Sequence, residues 1–311
     1  MKAILVKSYG EADQMYIGEA PTPSPKAQEI LVKVHATALN RADTLQRRGA
    51  YPPPSGASEI MGLEIAGEVA EIGEGVTRWK KGDKVFGLIS GGGYAEYAVI
   101  PEEMTMALPS YLSYEQAAAI PEVFLTAFQA LNWLGKLQAG EKILIHAAAS
   151  GVGTAAIQLA KAMKAEIFAT ASASKHSICY ELGASKVIDY KSQDFQEEIK
   201  KYTEGQGVEL ILDFVAANYF HQNIQSLSMD GRLVILALLG GMEVEKFNLG
   251  LVLRKRLQII GSTLRVRSLD YQIKLTKEFW SFAQPLFKTQ ELKPIIDTVY
   301  PWTEIVKAHT Q

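Results

Sequence analysis

One stretch constrains this chain above all others: Lys142-Ile143-Leu144-Ile145-His146-Ala147-Ala148-Ala149-Ser150-Gly151-Val152-Gly153-Thr154-Ala155-Ala156. Ile143, Leu144 and Ile145 form an apolar run, two of them β-branched, which predicts a buried strand. Small residues follow, and Ala155 to Ala160 reads as a helix. A strand, a tight turn of small side chains and a helix make the corner that holds a dinucleotide pyrophosphate. The small side chains let phosphates approach the backbone, and the helix N-terminus offers free N–H groups and partial positive charge. The glycine pattern is degenerate. In G-x-G-x-x-G register Ala148 and Ser150 fill the first two glycine slots, and only Gly153 matches.

The rhythm around this corner supports it. From about 122 to 264, apolar strands alternate with helices. The strands are read at 143–145, 167–170, 186–190, 209–214, 232–237 and 257–262, which is the pattern of a doubly wound parallel sheet. Residues 1–120 differ: short strands at 30–36, 65–73, 82–87 and 94–99 are separated by glycine and proline turns, predicting a compact barrel-like unit. The tail from about Leu264 reads as a helix rich in Phe and Trp, then a strand at 295–300, returning to the first domain. A length of 311 residues suits two domains.

Composition removes several classes of function. The net charge of −2 leaves no basic footprint for nucleic acid. The longest aliphatic run, Leu233 to Leu239, is too short to span a bilayer. Met1 to Lys7 reads as a first strand and not as a secretory signal. The lone Cys179 excludes an internal disulfide framework and argues for a reducing compartment, hence a cytoplasmic location.

The second strand of a dinucleotide sheet that binds NAD usually ends in Asp or Glu. Here it ends Ala169-Thr170-Ala171-Ser172-Ala173-Ser174-Lys175, without an acid. Lys175 and hydroxyls such as Ser172 would attract a ribose 2′-phosphate, so NADPH is preferred. Lys175 also reads as a solvated surface lysine. Tyr190, ending the third strand, is a candidate to cover the adenosine or a plain edge tyrosine. The five histidines are scattered without ligand spacing. His146, at the end of the first strand, reads as a core histidine or a cofactor contact.

Further strings carry a resemblance. Ala38 to Asp43, Gly62 to Gly67, Gly82 to Val85, Ala117 to Pro121, Thr126-Ala127 and Ala148 to Gly153 resemble the medium-chain dehydrogenase/reductase superfamily, in its zinc-free, zeta-crystallin-like quinone oxidoreductase family. Tyr51 to Pro54, Ala119 to Glu122 and Thr263 to Arg265 look closest to the tumour-suppressor-inducible quinone oxidoreductases and their bacterial relatives. The resemblance implies a GroES-like β-rich catalytic domain, 1–121 with return segment 265–311, and a Rossmann NADPH-binding domain, 122–264. It also implies that the return segment lacks the family's final helix and strand. Zinc-dependent relatives place a Cys near Asn40–Asp43 and a His at Leu63; with one Cys in total, neither zinc site is expected here.

What the resemblance implies about function is NADPH-dependent, zinc-independent reduction of quinones or activated alkenes in an interdomain cleft. Asn40, Asp43 and Tyr51 would line the nicotinamide side, with Tyr51 as proton donor or substrate-orienting hydroxyl. The backbone of Ser150, Gly151, Val152 and Gly153 would hold the pyrophosphate, and Thr126, at its helix start, the nicotinamide amide. Leu238 and Leu264 would follow strand ends there, and Arg265 would be a phosphate partner. Two alternatives stay open: an enoyl-thioester or enone reductase, and a non-catalytic NADPH-binding structural or regulatory protein. The fifth and sixth strands could leave a sheet edge that needs covering, and the resemblance implies that a homodimer covers it; no nucleic-acid or membrane partner is expected.

Overall fold

A computed structural model describes residues 1–311. The chain forms two units, Met1–Glu122 with Arg265–Lys288 and Pro294–Gln311, and Val123–Leu264 with Thr289–Lys293. In the second unit the carbonyl of Lys293 accepts from Gln158 Nε2 at 3.0 Å, and its N–H donates to Gln158 Oε1 at 2.8 Å.

The first unit begins with a ribbon of β1 (Lys2–Val6) and β2 (Met15–Glu19). It continues through β3 (Glu29–Ala36), α1 (Arg41–Arg47), β4 (Glu64–Ile72), β5 (Lys84–Leu88), β6 (Tyr97–Pro101), β7 (Thr105–Ala107) and α2 (Tyr114–Ala118). The antiparallel order is β6-β3-β4-β5-β7. A bridge between Ala3 and Ala95 ties the β1–β2 ribbon to the chain just before β6, giving the compact β-rich unit that the turn pattern predicted. Ile30, Val32, Ile65, Ala66, Phe86 and Ile100 lie on its strands and are almost wholly excluded from water, so both faces of the sheet are covered. The middle pair depends on Gly67. A Cβ there would lie 2.0 Å from the Lys33 carbonyl oxygen, so only glycine lets β3 and β4 approach.

The second unit opens inside α3 (Pro121–Phe128), whose first two residues belong to the first unit. It then runs β8 (Lys142–Ile145), α4 (Gly151–Ala162), β9 (Glu166–Ala171), α5 (His176–Leu182), β10 (Lys186–Asp189), α6 (Phe195–Tyr202), β11 (Val208–Asp213), α7 (Phe220–Ser226), β12 (Leu227–Ile235), α8 (Leu249–Lys255) and β13 (Gln258–Gly261). The parallel order is β10-β9-β8-β11-β12-β13: the first strand sits centrally, and the order reverses beside it. Such a reversal opens a crevice at the carboxyl ends of the strands. Leu144, Phe168, Ile211 and Leu233 fill the core under α6 and α7.

The chain returns through α9 (Leu269–Lys288) and α10 (Ile305–Ala308). Trp280 of α9 meets Phe86 edge-on at 5.2 Å. The strand expected at 295–300 does not form. Ile295, Ile296 and Val299 are exposed and the segment pairs with no strand, and an extended run without a ladder gains nothing from β-branching. No helix is long and apolar enough to cross a membrane.

Gly67→Ala is expected to cost about 1–3 kcal/mol through overpacking. It would be read as a lower Tm and as faster amide exchange at Val32, Val34 and Ala66.

Candidate active site

At the carboxyl edge of the parallel sheet, β8 gives way to a turn with Ala147 at φ 45° and then to α4. Ser150 caps the helix, its Oγ accepting from the Gly153 N–H at 3.1 Å. The N–H groups of Gly151 and Val152 make no bond within the chain, and Ser150 and Gly151 are exposed. Gly153 is required for packing: a Cβ there would lie 2.5 Å from the Ala147 carbonyl oxygen. The two free N–H groups and the helix dipole make a fitting seat for a pyrophosphate.

The neighbouring strand ends complete this edge. Ser172 and Lys175 follow β9; Lys175 is exposed and enters no ion pair. Asp189, at the end of β10, is consumed by its own turn, and Asp213, at the end of β11, is buried and accepts from Val215 N, Ala216 N and Asn223 Nδ2. Asp189 accepts from Lys191 N at 3.2 Å and Ser192 Oγ at 2.8 Å, and the serine bond holds it below the usual carboxylate range. Tyr190 next to it is half exposed, and Leu238 follows β12 in the open. Leu264, beyond β13, is buried. Thr126 lies in the interior of α3, not at its start. His146 is a core histidine: fully buried, it meets Thr170 Oγ1 at 3.0 Å and Asn223 Oδ1 at 2.8 Å.

A second polar cluster lies in the first unit, built around α1. Asn40 caps that helix, and its N–H donates to Asp43 Oδ2 at 2.8 Å. Asp43, fully buried, also accepts from Gly62 N at 2.9 Å and from the Tyr94 hydroxyl. Burial raises its pKa to about 6 against these bonds. Glu64 of β4 is as deeply buried. Its Oε1 accepts from Asn40 Nδ2 at 2.7 Å and its Oε2 from Glu122 N at 2.8 Å. Burial lifts it to about 8. The Glu122 side chain, half-buried and without a hydrogen bond, is lifted to about 7, first by burial and then by the Asp43 charge.

Arg265 brings the cation. Its Nε and Nη2 donate to the Ser90 carbonyl at 3.0 and 2.7 Å, and Nη2 also to Gln46 Oε1 at 2.8 Å. Nη1 is buried without a partner. The guanidinium stands 5.4 Å over the Tyr51 ring. The resemblance implied a phosphate partner; Arg265 is buried in the first unit, held by Ser90 and Gln46. The Tyr51 phenol is half-buried and pushed above its ordinary value by burial and then by the Glu122 charge.

Behind Asp43 lies a line of hydrogen bonds that sequence reasoning missed. Arg47 Nη1 meets His309 Nδ1 at 3.3 Å, and His309 Nε2 meets the Tyr94 hydroxyl at 3.2 Å. Arginine only donates, so Nδ1 accepts and the neutral ring carries its proton on Nε2. The polarity then runs Arg47, His309, Tyr94, Asp43. Burial and the Arg47 charge lower His309 to about 4. Its signal in the sequence is faint, since Arg47 and His309 lie 262 positions apart.

Comparison with known proteins agrees with this geometry. Residues 26–110 match the alcohol dehydrogenase GroES-like domain, and 151–279 the zinc-binding dehydrogenase family. The human quinone oxidoreductase is 32% identical over 99% of this chain and 93% of its own. The chain belongs to the medium-chain dehydrogenase/reductase superfamily, among its quinone-oxidoreductase-like members. The solved CurK enoyl reductase superposes with TM-score 0.88 at 32% identity, over 99% of this chain and 94% of that one. The Escherichia coli quinone oxidoreductase complexed with NADPH superposes with TM-score 0.88 at 29% identity, over 100% and 95%.

The zinc ion in one matching family's description does not fit these residues. Both oxygens of Asp43 and of Glu64 already accept N–H donors, and no group of three or more His, Cys, Asp or Glu has a ligand arrangement. A nicotinamide cofactor does fit the sheet edge, through the α4 N-terminus and the hydroxyls and lysine beside it.

The His309 line has a pH signature. Its folded pKa, about 4, lies below the ordinary 6.5. The stability it contributes is therefore present above pH 6.5 and lost as pH falls toward 4. The stability gap between wild type and His309→Asn is expected to shrink by about 1.4 kcal/mol per pH unit across that window, measured by urea unfolding.

Proposed function

We propose that the chain is an NADPH-dependent reductase of quinones and conjugated carbonyls, working without a metal. The observation that carries this reading is the donor set of the first unit. Its two fully buried carboxylates, Asp43 and Glu64, are saturated with N–H donors, and the free Glu122 carboxyl by itself makes no ligand set for a Lewis acid, so the acceptor must bring its own polarisation. Quinones and α,β-unsaturated carbonyls do so. When bound, the nicotinamide supplies the hydride; the protein supplies placement and exclusion of water.

The residues take these roles. Ser150, Gly151, Val152 and Gly153 hold the pyrophosphate through the helix N-terminus. Lys175 and Ser172 take the 2′-phosphate, Tyr190 covers the adenosine, and Thr126, Leu238 and Leu264 shape the nicotinamide side. Asn40 and Asp43 fix the start of α1 as a rigid wall. The Tyr51 hydroxyl orients the substrate oxygen, its ring steadied by Arg265. Preference for NADPH follows from an unpaired lysine and an acid-free strand end.

The superposition on an enoyl reductase favours a second reading, reduction of enoyl thioesters. Turnover of a quinone panel against crotonyl thioesters separates the two. We also propose a homodimer. Strand β13 is an open sheet edge carrying Ile259, which is 41% exposed, and pairing two such edges would continue the ladder. Light scattering at micromolar concentration is expected to give twice the chain mass; a monomer refutes it.

Lys175→Met is expected to raise the KM for NADPH about 10- to 100-fold, the worth of a charge-assisted phosphate contact, while NADH is little changed. Tyr51→Phe is expected to lower kcat/KM for quinone at unchanged NADPH affinity. Steady-state kinetics with both coenzymes and NADPH fluorescence titration read both effects.

A further inference from the structure

We propose that the Glu122 carboxyl is the proton donor to the reduced substrate oxygen. The assignment rests on the reductase reading above and names a group that reading leaves without a role. The ionisable groups around Glu122 leave no other donor. Asp43 is sealed from water and accepts three hydrogen bonds, so its lone pairs are committed. Glu64 is equally sealed, with both oxygens engaged. The Tyr51 phenol is pushed further from neutrality by burial and by Glu122, which makes it a weaker acid. Arg265 has no proton to give at neutral pH.

Glu122 alone combines a free carboxyl with partial access to water. Pro121 starts the helix and aims the backbone N–H of Glu122 at Glu64, so the main chain is anchored while the side chain stays unbound. The charged groups facing it are Asp43 on α1, Glu64 on β4, Tyr51 beyond α1 and Arg265. Burial and the Asp43 charge bring Glu122 to about 7, the range in which an acid gives up and regains a proton at physiological pH.

The step balances simply. Hydride transfer oxidises the coenzyme and reduces the quinone by two electrons and one hydrogen, leaving a hydroquinone monoanion with charge on one oxygen. The Glu122 O–H bond breaks, a new O–H bond forms on that oxygen, and the carboxylate remains. Arg265 attracts that carboxylate, and water returns the proton. Transfer to the oxygen also spares it a negative charge beside Asp43.

The protonated form is the active one, so kcat for quinone should fall as pH rises through about 7. Glu122→Gln is expected to lose about 100-fold in kcat and to lose this alkaline limb, with NADPH affinity unchanged by fluorescence titration. Glu122→Asp keeps a carboxyl at shorter reach and should retain the limb at a reduced rate, which separates a lost proton from a lost fold. Wild-type turnover with a limb that survives in Glu122→Gln would overturn the assignment and leave the reductase reading standing. A wild type that oxidises NADPH with no quinone would overturn both.

Discussion

The first unit depends on one buried carboxylate. Glu64 stands on β4 with a single pair of oxygens, and each holds the start of a helix: one through the side chain of Asn40, the other through the main chain of Glu122. Removing it would orphan two donors at once, each costing about 1–3 kcal/mol. Its neighbours inherit their geometry from it. Asn40 is oriented to cap α1, so Asp43 lies where three donors converge. The Glu122 main chain is pinned, so its side chain is free to titrate.

The two polar centres are built in different ways. At the sheet edge, backbone N–H groups and a helix dipole do the work, and the side chains need only be small. Such a site tolerates sequence drift: two of its three glycine positions here are Ala148 and Ser150. The first-unit cluster consists of side chains drawn from six separated stretches, so its chemistry changes with single substitutions.

The same contrast explains how much was legible in the sequence. Six apolar runs separated by helices pointed to the parallel sheet, because buried strands leave a local signature, while the strand order appears only in the fold. Gly153 was legible for the same local reason. Arg265 was read as a phosphate partner, but its bonds to Gln46 and Ser90 cross 219 and 175 positions, and no periodicity encodes them. Glu122 was visible only as part of a motif; its partial burial and lack of a partner exist only once β4 lies beneath it. The tail failed in the opposite direction. Residues 295–300 have strand composition, but strand formation needs a neighbour that the sequence does not announce.

The row from Arg47 through His309 and Tyr94 to Asp43 is a one-way street. Each member faces its successor with a hydrogen, and the guanidinium at its head has none to spare. Passing a proton along it would demand that the imidazole change tautomer against a fixed cation. It is a mooring rather than a wire, and what the last helix sends to the site is position, not charge.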